Sequence, residues 1–565
     1  MVAAASFGRA VGWYALLAAA PALIGCDFET AGLETLLDSD PSYVNVPGKR
    51  LAEGRFSKLE IDGTEKSGGA VLALKNEKEL SIVPFSGAGG CSVGSVGSYG
   101  LSLPSRSSTA APFVPFIEAP NESGLGTLRF ADFGCALSPV SLPDSKLPLR
   151  QLLMFGTEPR EFALNDNREL HVLDPWKEAQ ARIAGAVTGV ELGSDVLWTI
   201  ENGELVERDV ALVELRRLGT AVSELVVNQL GQQAAYIDAA GVHLIPALGE
   251  QPILLDSDAC ELSNVFLGRF EAWQWLSYLS PCASRRLVAV QTETRERFEL
   301  GENASTPAGI YAAGGARVEG HAFYVTDAVT VEPTGPAAEL WAFEDVVQVG
   351  TLWGGRLNAA PARGPERAVF QSMNYPWEGK LRVVVDFDGV KGRLVEWNYE
   401  TGSITELAQG VVATNGPEVL ANFDGTVGDL LMIEQDLSPA VLAQRVPLIS
   451  SYGPKFMRSV LADFDGTTGT LLLFDGAFGR KAEKIASGVP LGGFEFMWDS
   501  AIVYQDEFDP VSATGRLVAR FLRTADTFIV QAGVGEFLEA SWPEQGVVYS
   551  ITEGGNAGVW FARAR

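Results

Sequence analysis

Beyond about residue 66 the chain runs in short apolar stretches broken by Gly, Asn, Asp and Pro. Ala70-Val71-Leu72-Ala73-Leu74 and Leu80-Ser81-Ile82-Val83 flank Lys75-Asn76-Glu77-Lys78, a spacing that predicts a β-hairpin. Residues 169–173, 196–200, 234–237, 276–279 and 322–325 each begin a further strand or hairpin, roughly 40 residues from the last. Helical periodicity is weak, and residues 175–184 are the best candidate for a helix.

The pattern becomes explicit in the last third. Asp386-Phe387-Asp388-Gly389, Asn422-Phe423-Asp424-Gly425 and Asp463-Phe464-Asp465-Gly466 each follow an apolar run, and each leads into another at Arg393-Leu394-Val395, Asp429-Leu430-Leu431 and Thr470-Leu471-Leu472. Each copy closes on Ala408-Gln409-Gly410-Val411, Ala443-Gln444-Arg445-Val446 or Ala486-Ser487-Gly488-Val489, and Val187, Val222 and Val534 hold the same closing position elsewhere. The second Asp recurs after 36 and then 41 residues. That period belongs to stacked or radial units, each too small to bury its own apolar face.

Composition narrows the function classes. With 47% hydrophobic and 20% charged residues, the 565-residue chain is globular and can bury a large core. Its 71 acids against 43 bases give a formal charge of −28, which repels phosphate backbones and argues against nucleic acid as a partner. The three histidines, His171, His243 and His321, fall at strand-like positions, where a place in the fold accounts for them better than ligation or catalysis.

At the N-terminus a single charge, Arg9, precedes the apolar run 11–25, the form of a secretory signal and too short for a comfortable membrane span. Leu23-Ile24-Gly25-Cys26 resembles the lipobox of bacterial lipoproteins. The resemblance implies cleavage before Cys26, acylation of that cysteine, and a mature protein anchored through lipid in the cell envelope, facing the periplasm or the exterior. Residues 1–25 are then the signal, 26–65 the lipidated N-terminus and a polar tether, and 66–565 the repeat domain. Setting Cys26 aside leaves Cys91, Cys135, Cys260 and Cys282, which pair in three ways in an oxidising compartment. Cys91 with Cys135 and Cys260 with Cys282 is the favoured arrangement, because each pair stays within neighbouring repeat units.

Short strands at this period, joined by Asp-Gly turns, resemble the β-propeller superfamily, and more narrowly the propeller domains of exported bacterial lipoproteins. The resemblance implies an all-β fold: one ring of about seven or eight four-stranded blades, with two rings also allowed. It also implies that the last run, near 547–561, closes the ring against strands near Ala70.

Candidate chemistry is sparse. Asp386, Asp388, Asp424, Asp463 and Asp465 lie in the three Phe-Asp-Gly turns, whose Asp-x-Asp-Gly start (Asn-x-Asp-Gly in the second) is similar to calcium loops, but calcium takes six to eight oxygens and no further carboxylates follow. A tight turn explains the same residues. Gly90-Cys91-Ser92-Val93-Gly94 matches a hydrolase nucleophile elbow in letters only, since no strand runs straight into it and no helix-forming sequence follows. Trp273, Trp275, Tyr278, Trp353, Trp377 and Trp397 fit blade core better than a binding face. The Ser- and Pro-rich stretch 95–121 reads as an insert looping from one face, the first place to look for specificity. These features favour an anchored interaction platform for protein, peptide or glycan with no cofactor. A hydrolase or lyase using carboxylate, Arg or Tyr groups in a central channel, and a calcium-dependent adhesion module, are the alternatives.

Overall fold

The computed structural model describes residues 48–64, 68–75, 78–85, 90–100, 113–146, 161–192, 196–227, 233–263, 275–312, 320–334, 347–373, 379–415, 417–434, 436–448, 451–452, 457–474, 481–497, 501–522, 524–540 and 546–563. Among these the fold is all-β: antiparallel sheets follow one another in chain order, with 3-10 turns at Phe370–Ser372 and Gly554–Asn556 and no α-helix. The hairpin of 70–83 forms as its pattern requires, Gly68–Lys75 pairing with Glu79–Pro84. Its apolar residues from Ala70 to Ala73, with Leu80, Ile82 and Val83, are buried on both faces of the sheet. The same two-sided burial covers all of Trp275–Leu279, Arg458–Ala462 and Gly546–Ile551. Strands that end a sheet, such as Ala179–Ala184 and Glu214–Leu218, are mostly exposed. Continuous apolar runs in the middle strands and polar runs at the edges are what stacking sheets face to face demands.

The single repeat domain expected from residue 66 divides into two compact units. Among the described residues, one draws on 219–451 and 458–485, and the other on 48–218, 452, 457 and 486–563. In the first, one core cluster joins consecutive sheets, with Val384, Phe387 and Leu394 packed among Val419, Leu420 and Phe423, and these among Val460, Ala462 and Phe474. In the second, Val71, Ala73 and Val83 share a core with Val548, Val559 and Phe561.

That second unit corrects two expectations. The tether ends earlier than residue 65, because Lys49–Glu53 and Lys58–Thr64 are strands. Leu51, Phe56 and Leu59 are buried there, and burying three large apolar side chains stabilises by several kcal/mol, about 1.5 to 3 each. The last strand, Gly558–Arg563, pairs with Lys49–Glu53 rather than with a strand near Ala70. Residues 175–184 also depart from expectation. They form a turn and then Ala179–Ala184, a strand paired with Leu170–Asp174. Edge-strand polarity at 179–182, exposed throughout, imitates a helix surface in sequence.

The closing valine marks where the chain passes from one sheet to the next. Val534 is the exception: it lies opposite Gly515 on one side and opposite Ile551 on the other, within one seven-stranded sheet in which the long strand Thr527–Ala540 is a middle strand. The residue before each closing valine is left-handed: φ is 54° at Ala186, 55° at Ala221, 58° at Gly410, 50° at Arg445, 70° at Gly488 and 70° at Gly533. Val187, Val222, Val411, Val446, Val489 and Val534 are all buried. A left-handed residue bends the strand, and the valine after it points into the core on the far side of the bend.

Candidate functional site

The Phe-Asp-Gly turns share one geometry. The residue before Phe is left-handed, with φ of 55° at Asp386, 52° at Asn422 and 50° at Asp463. Phe387, Phe423 and Phe464 are buried. The Oδ1 atom of each following Asp accepts two backbone N–H groups: from Val390 and Lys391 on Asp388, from Thr426 and Val427 on Asp424, and from Thr467 and Thr468 on Asp465, all at 2.9 to 3.0 Å. These N–H bonds hold the carboxyls of Asp424 and Asp465 below the usual range. At Asp388 partial burial works against them, and the pKa still falls. Asp386 is taken up by Arg393 and Arg367. Among the described residues no group of three or more His, Cys, Asp or Glu side chains is arranged to hold a metal. The turns are built from donors aimed at carboxylates, the arrangement of an Asx turn.

Each turn is also clasped by the repeat before it. Asn422 and Phe423 donate their backbone N–H groups to Gln409 O and Gly410 O at 2.8 and 3.1 Å, and Asp463 and Phe464 donate to Gln444 O and Arg445 O at 3.0 and 2.9 Å. Lys391 Nζ donates to Phe423 O at 2.7 Å, and Arg445 to Phe464 O at 2.8 Å. The recurring closing sequence and the recurring turn are therefore two halves of one joint. Four residues past the second Asp stands a glycine in each of these three copies, Gly392, Gly428 and Gly469. A Cβ there would lie 2.6, 2.5 and 2.7 Å from the carbonyl oxygens of Val385, Ala421 and Ala462. A fourth copy, Glu507-Phe508-Asp509-Pro510, keeps the left-handed residue (φ 49° at Glu507) and the Asx turn, with Val511 N–H 3.0 Å from Asp509 Oδ1. Proline replaces glycine there, and the sequence pattern alone passes over it.

Two half-buried carboxylates occupy equivalent places, one in each unit. Glu224 stands two residues past Val222, and Glu536 two past Val534. Glu224 Oε2 accepts the N–H of Leu262, at the start of the next sheet, and Glu536 Oε2 accepts the N–H of Leu59 at 2.8 Å. Burial pushes Glu536 up to about 7 against the pull of the Leu59 N–H and Lys58, with Glu60 adding to the rise. Lys58 Nζ lies 2.6 Å from Glu60 and over the ring of Tyr99. Glu224 is raised too, chiefly by burial and then by Glu261, whose carboxylate pairs with Arg285 at 2.7 Å. Glu161, at the start of its strand, is pushed up to about 8 by burial. Sequence inspection missed all three. The signal for the first two was present as Val-x-Glu after a closing valine.

The other expected residues scatter. Cys91 and Cys135 form the first expected bridge. Cys260 and Cys282 are free thiols. Cys26 lies outside the described residues. Ser92 sits within the strand Cys91–Tyr99 and donates to Glu79 Oε1 at 2.9 Å, which leaves no nucleophile elbow. The stretch 95–121 is not one looped insert: its flanks belong to the paired strands Cys91–Tyr99 and Phe113–Glu118, and residues 101–112 lie outside the described residues. His243 stacks on Tyr236 and contacts Asp238 at 2.9 Å, His321 meets the ring of Tyr399, and His171 lies 3.7 Å from Glu169. Trp275, Tyr278 and Trp397 are core, Trp353 is half-buried with its indole N–H on Thr326, and Trp273 and Trp377 lie outside the described residues.

No protein-family model matches the chain, and no curated protein matches it. Among solved structures the chain is similar to PorZ of Porphyromonas gingivalis, an essential bacterial surface component of the type-IX secretion system. That likeness has 14% identity and a TM-score of 0.21, over 91% of this chain and 72% of that one. An ancestral GH74 enzyme matches at 10% identity and a TM-score of 0.20, over 92% and 99% of the two chains. The tricorn protease matches at 10% identity and 0.19, over 89% and 60%.

Proposed function

We propose that the chain is an exported, lipid-anchored β-propeller protein of the bacterial envelope that serves as a binding scaffold for a protein, peptide or glycan. The observation that carries this reading is the clasp between consecutive repeats. Backbone groups and buried Phe and Val residues are spent on fixing each sheet to the next, which leaves the exposed turns as the variable surface. The two compact units favour two rings of four-stranded blades over one ring of seven or eight. The Cys91–Cys135 bridge supports an oxidising compartment. With Cys26 lipidated, 22 residues separate the anchor from Lys49, a reach of at most about 75 Å when fully extended.

Two experiments test the reading. Cys26→Ala is expected to move the protein from the membrane fraction to the soluble one. Crosslinking capture from the native envelope, with the chain tagged at its C-terminus, is expected to enrich a partner reproducibly over a tethered control propeller. No enrichment, together with no binding to a glycan panel, refutes the scaffold.

A second reading, a hydrolase or lyase, has Glu536 in its favour: a carboxyl near pH 7 beside Lys58 and Glu60 is poised for proton transfer. It requires that Glu536→Gln abolish turnover of some substrate while the fold persists.

A further inference from the structure

The strand Glu261–Ser263 opens its sheet opposite Leu279, and the chain turns back at 280–286. Cys260 stands just before the strand and Cys282 within the turn. The Cys260 backbone N–H and thiol both meet Leu279 O, at 3.1 and 3.7 Å. The Cys282 thiol meets Asp258 O at 3.3 Å. Each sulfur thus hydrogen-bonds the segment that carries the other. Their surroundings differ, since Cys282 is exposed and Cys260 half-buried.

The pair also sits at a junction. Arg285, in the same turn, pairs with Glu261, donates its Nε to Ala304 O at 3.3 Å, and accepts the Ala304 N–H on its own carbonyl at 3.0 Å. Glu224 reaches in from the preceding sheet to the Leu262 N–H. Three consecutive sheets of one unit meet within a few residues of the two sulfurs.

We propose that Cys260 and Cys282 are a redox-active pair in which exposed Cys282 receives a disulfide and Cys260 resolves it, locking this junction. The oxidant is an external disulfide, RSSR, small or protein-borne. The Cys282 thiolate attacks one sulfur of RSSR, forming a Cys282–S–S–R bond and releasing RS⁻. Cys260 then gives up its proton to solvent and attacks the Cys282 sulfur, expelling the second RS⁻. Two protein thiols are oxidised and RSSR is reduced to two RSH after protonation. Burial, then Cys282 itself, pushes the Cys260 thiol up to about 12, which disfavours it for the first attack on an external disulfide; its part in the second step rests on its place beside the segment that carries Cys282.

Oxidised glutathione tests this on the purified full chain, read by intact mass and by peptide mapping without reduction, with the Cys91–Cys135 bridge as internal reference. The native chain is expected to gain a Cys260–Cys282 crosslink and no lasting glutathione, and its melting temperature to rise. Cys260→Ser is expected to retain one glutathione on Cys282. Cys282→Ser is expected to take up glutathione about tenfold more slowly or less. The melting temperature of each reduced serine variant establishes that it is folded. Independent glutathione on both cysteines, a dimer linked through Cys282, or equal uptake by the two variants overturns the proposal.

Discussion

Glu536 offers a sharp test, because its neighbours act in opposite directions. Burial raises its folded pKa from 4.5 to about 7, while the Leu59 N–H and Lys58 resist. A folded pKa above the unfolded one means that the folded state holds the proton more tightly. The stability this confers is complete below about pH 4.5 and is lost as pH rises to about 7. The difference of about 2.5 pH units corresponds to about 3 kcal/mol, the penalty for carrying a buried charge above neutrality. Glutamine keeps the acceptor for Leu59 and cannot ionise. Glu536→Gln is therefore expected to match the native chain near pH 4.5 and to exceed it by about 3 kcal/mol at pH 8. In thermal unfolding that is a gain of roughly 5 °C at the higher pH only. The comparison is a difference between two proteins at each pH, so titrating groups that do not interact with residue 536 cancel. A Glu536→Gln chain that is less stable at pH 8, or whose advantage does not change with pH, refutes the account.

Other predictions follow from the joints. Gly428→Ala puts a methyl 2.5 Å from Ala421 O and is expected to lower stability by about 1 to 3 kcal/mol in urea titrations, whereas Gly555→Ala, with open space around it, leaves stability unchanged. Glu418→Gln breaks the fully buried pair with Arg458, whose guanidinium stacks over Phe474, and is expected to cost about 3 to 5 kcal/mol by the same measurement. Cys91→Ser with Cys135→Ser removes a bridge spanning 44 residues and is expected to cost about 2 to 4 kcal/mol, read as a lower urea midpoint. Chelation with EDTA is expected to leave the melting temperature unchanged, since N–H donors already fill the Oδ1 atoms of Asp388, Asp424 and Asp465; a fall in melting temperature would establish bound calcium.

Strand positions and the closing valines were legible because burial on both faces of a middle strand writes itself as an apolar run. The Phe-Asp-Gly turns were legible as turns for a related reason: each needs a buried Phe, an Asp that accepts two N–H groups, and a glycine. Other features leave weaker traces. Lys49–Glu53 and Lys58–Thr64 alternate charged with apolar residues and read as a polar tether until Leu51 and Leu59 are seen to be buried. The partners of Glu224 and Glu536 are backbone N–H groups, which carry no residue letter, and Leu262 and Leu59 lie in other sheets. Gly392, Gly428 and Gly469 were visible at a fixed offset, but only the close carbonyls explain why no side chain is tolerated.

The repeats supply an internal comparison in place of relatives. Two residues past the closing valine the chain has Gly189, Ala413, Leu448 and Leu491, small or apolar residues, against Glu224 and Glu536. A half-buried carboxylate is unfavourable at a position that elsewhere accepts glycine or leucine, and a single N–H bond does not offset its desolvation, as the raised pKa values record. The joint itself therefore does not require the acid. Where a copy departs from its own pattern toward a less stable residue, something other than stacking has kept it there. By that criterion Glu536, next to Lys58 and Glu60, and Glu224, next to the Cys260 and Cys282 junction, are the positions at which variants with altered binding or turnover should first be sought.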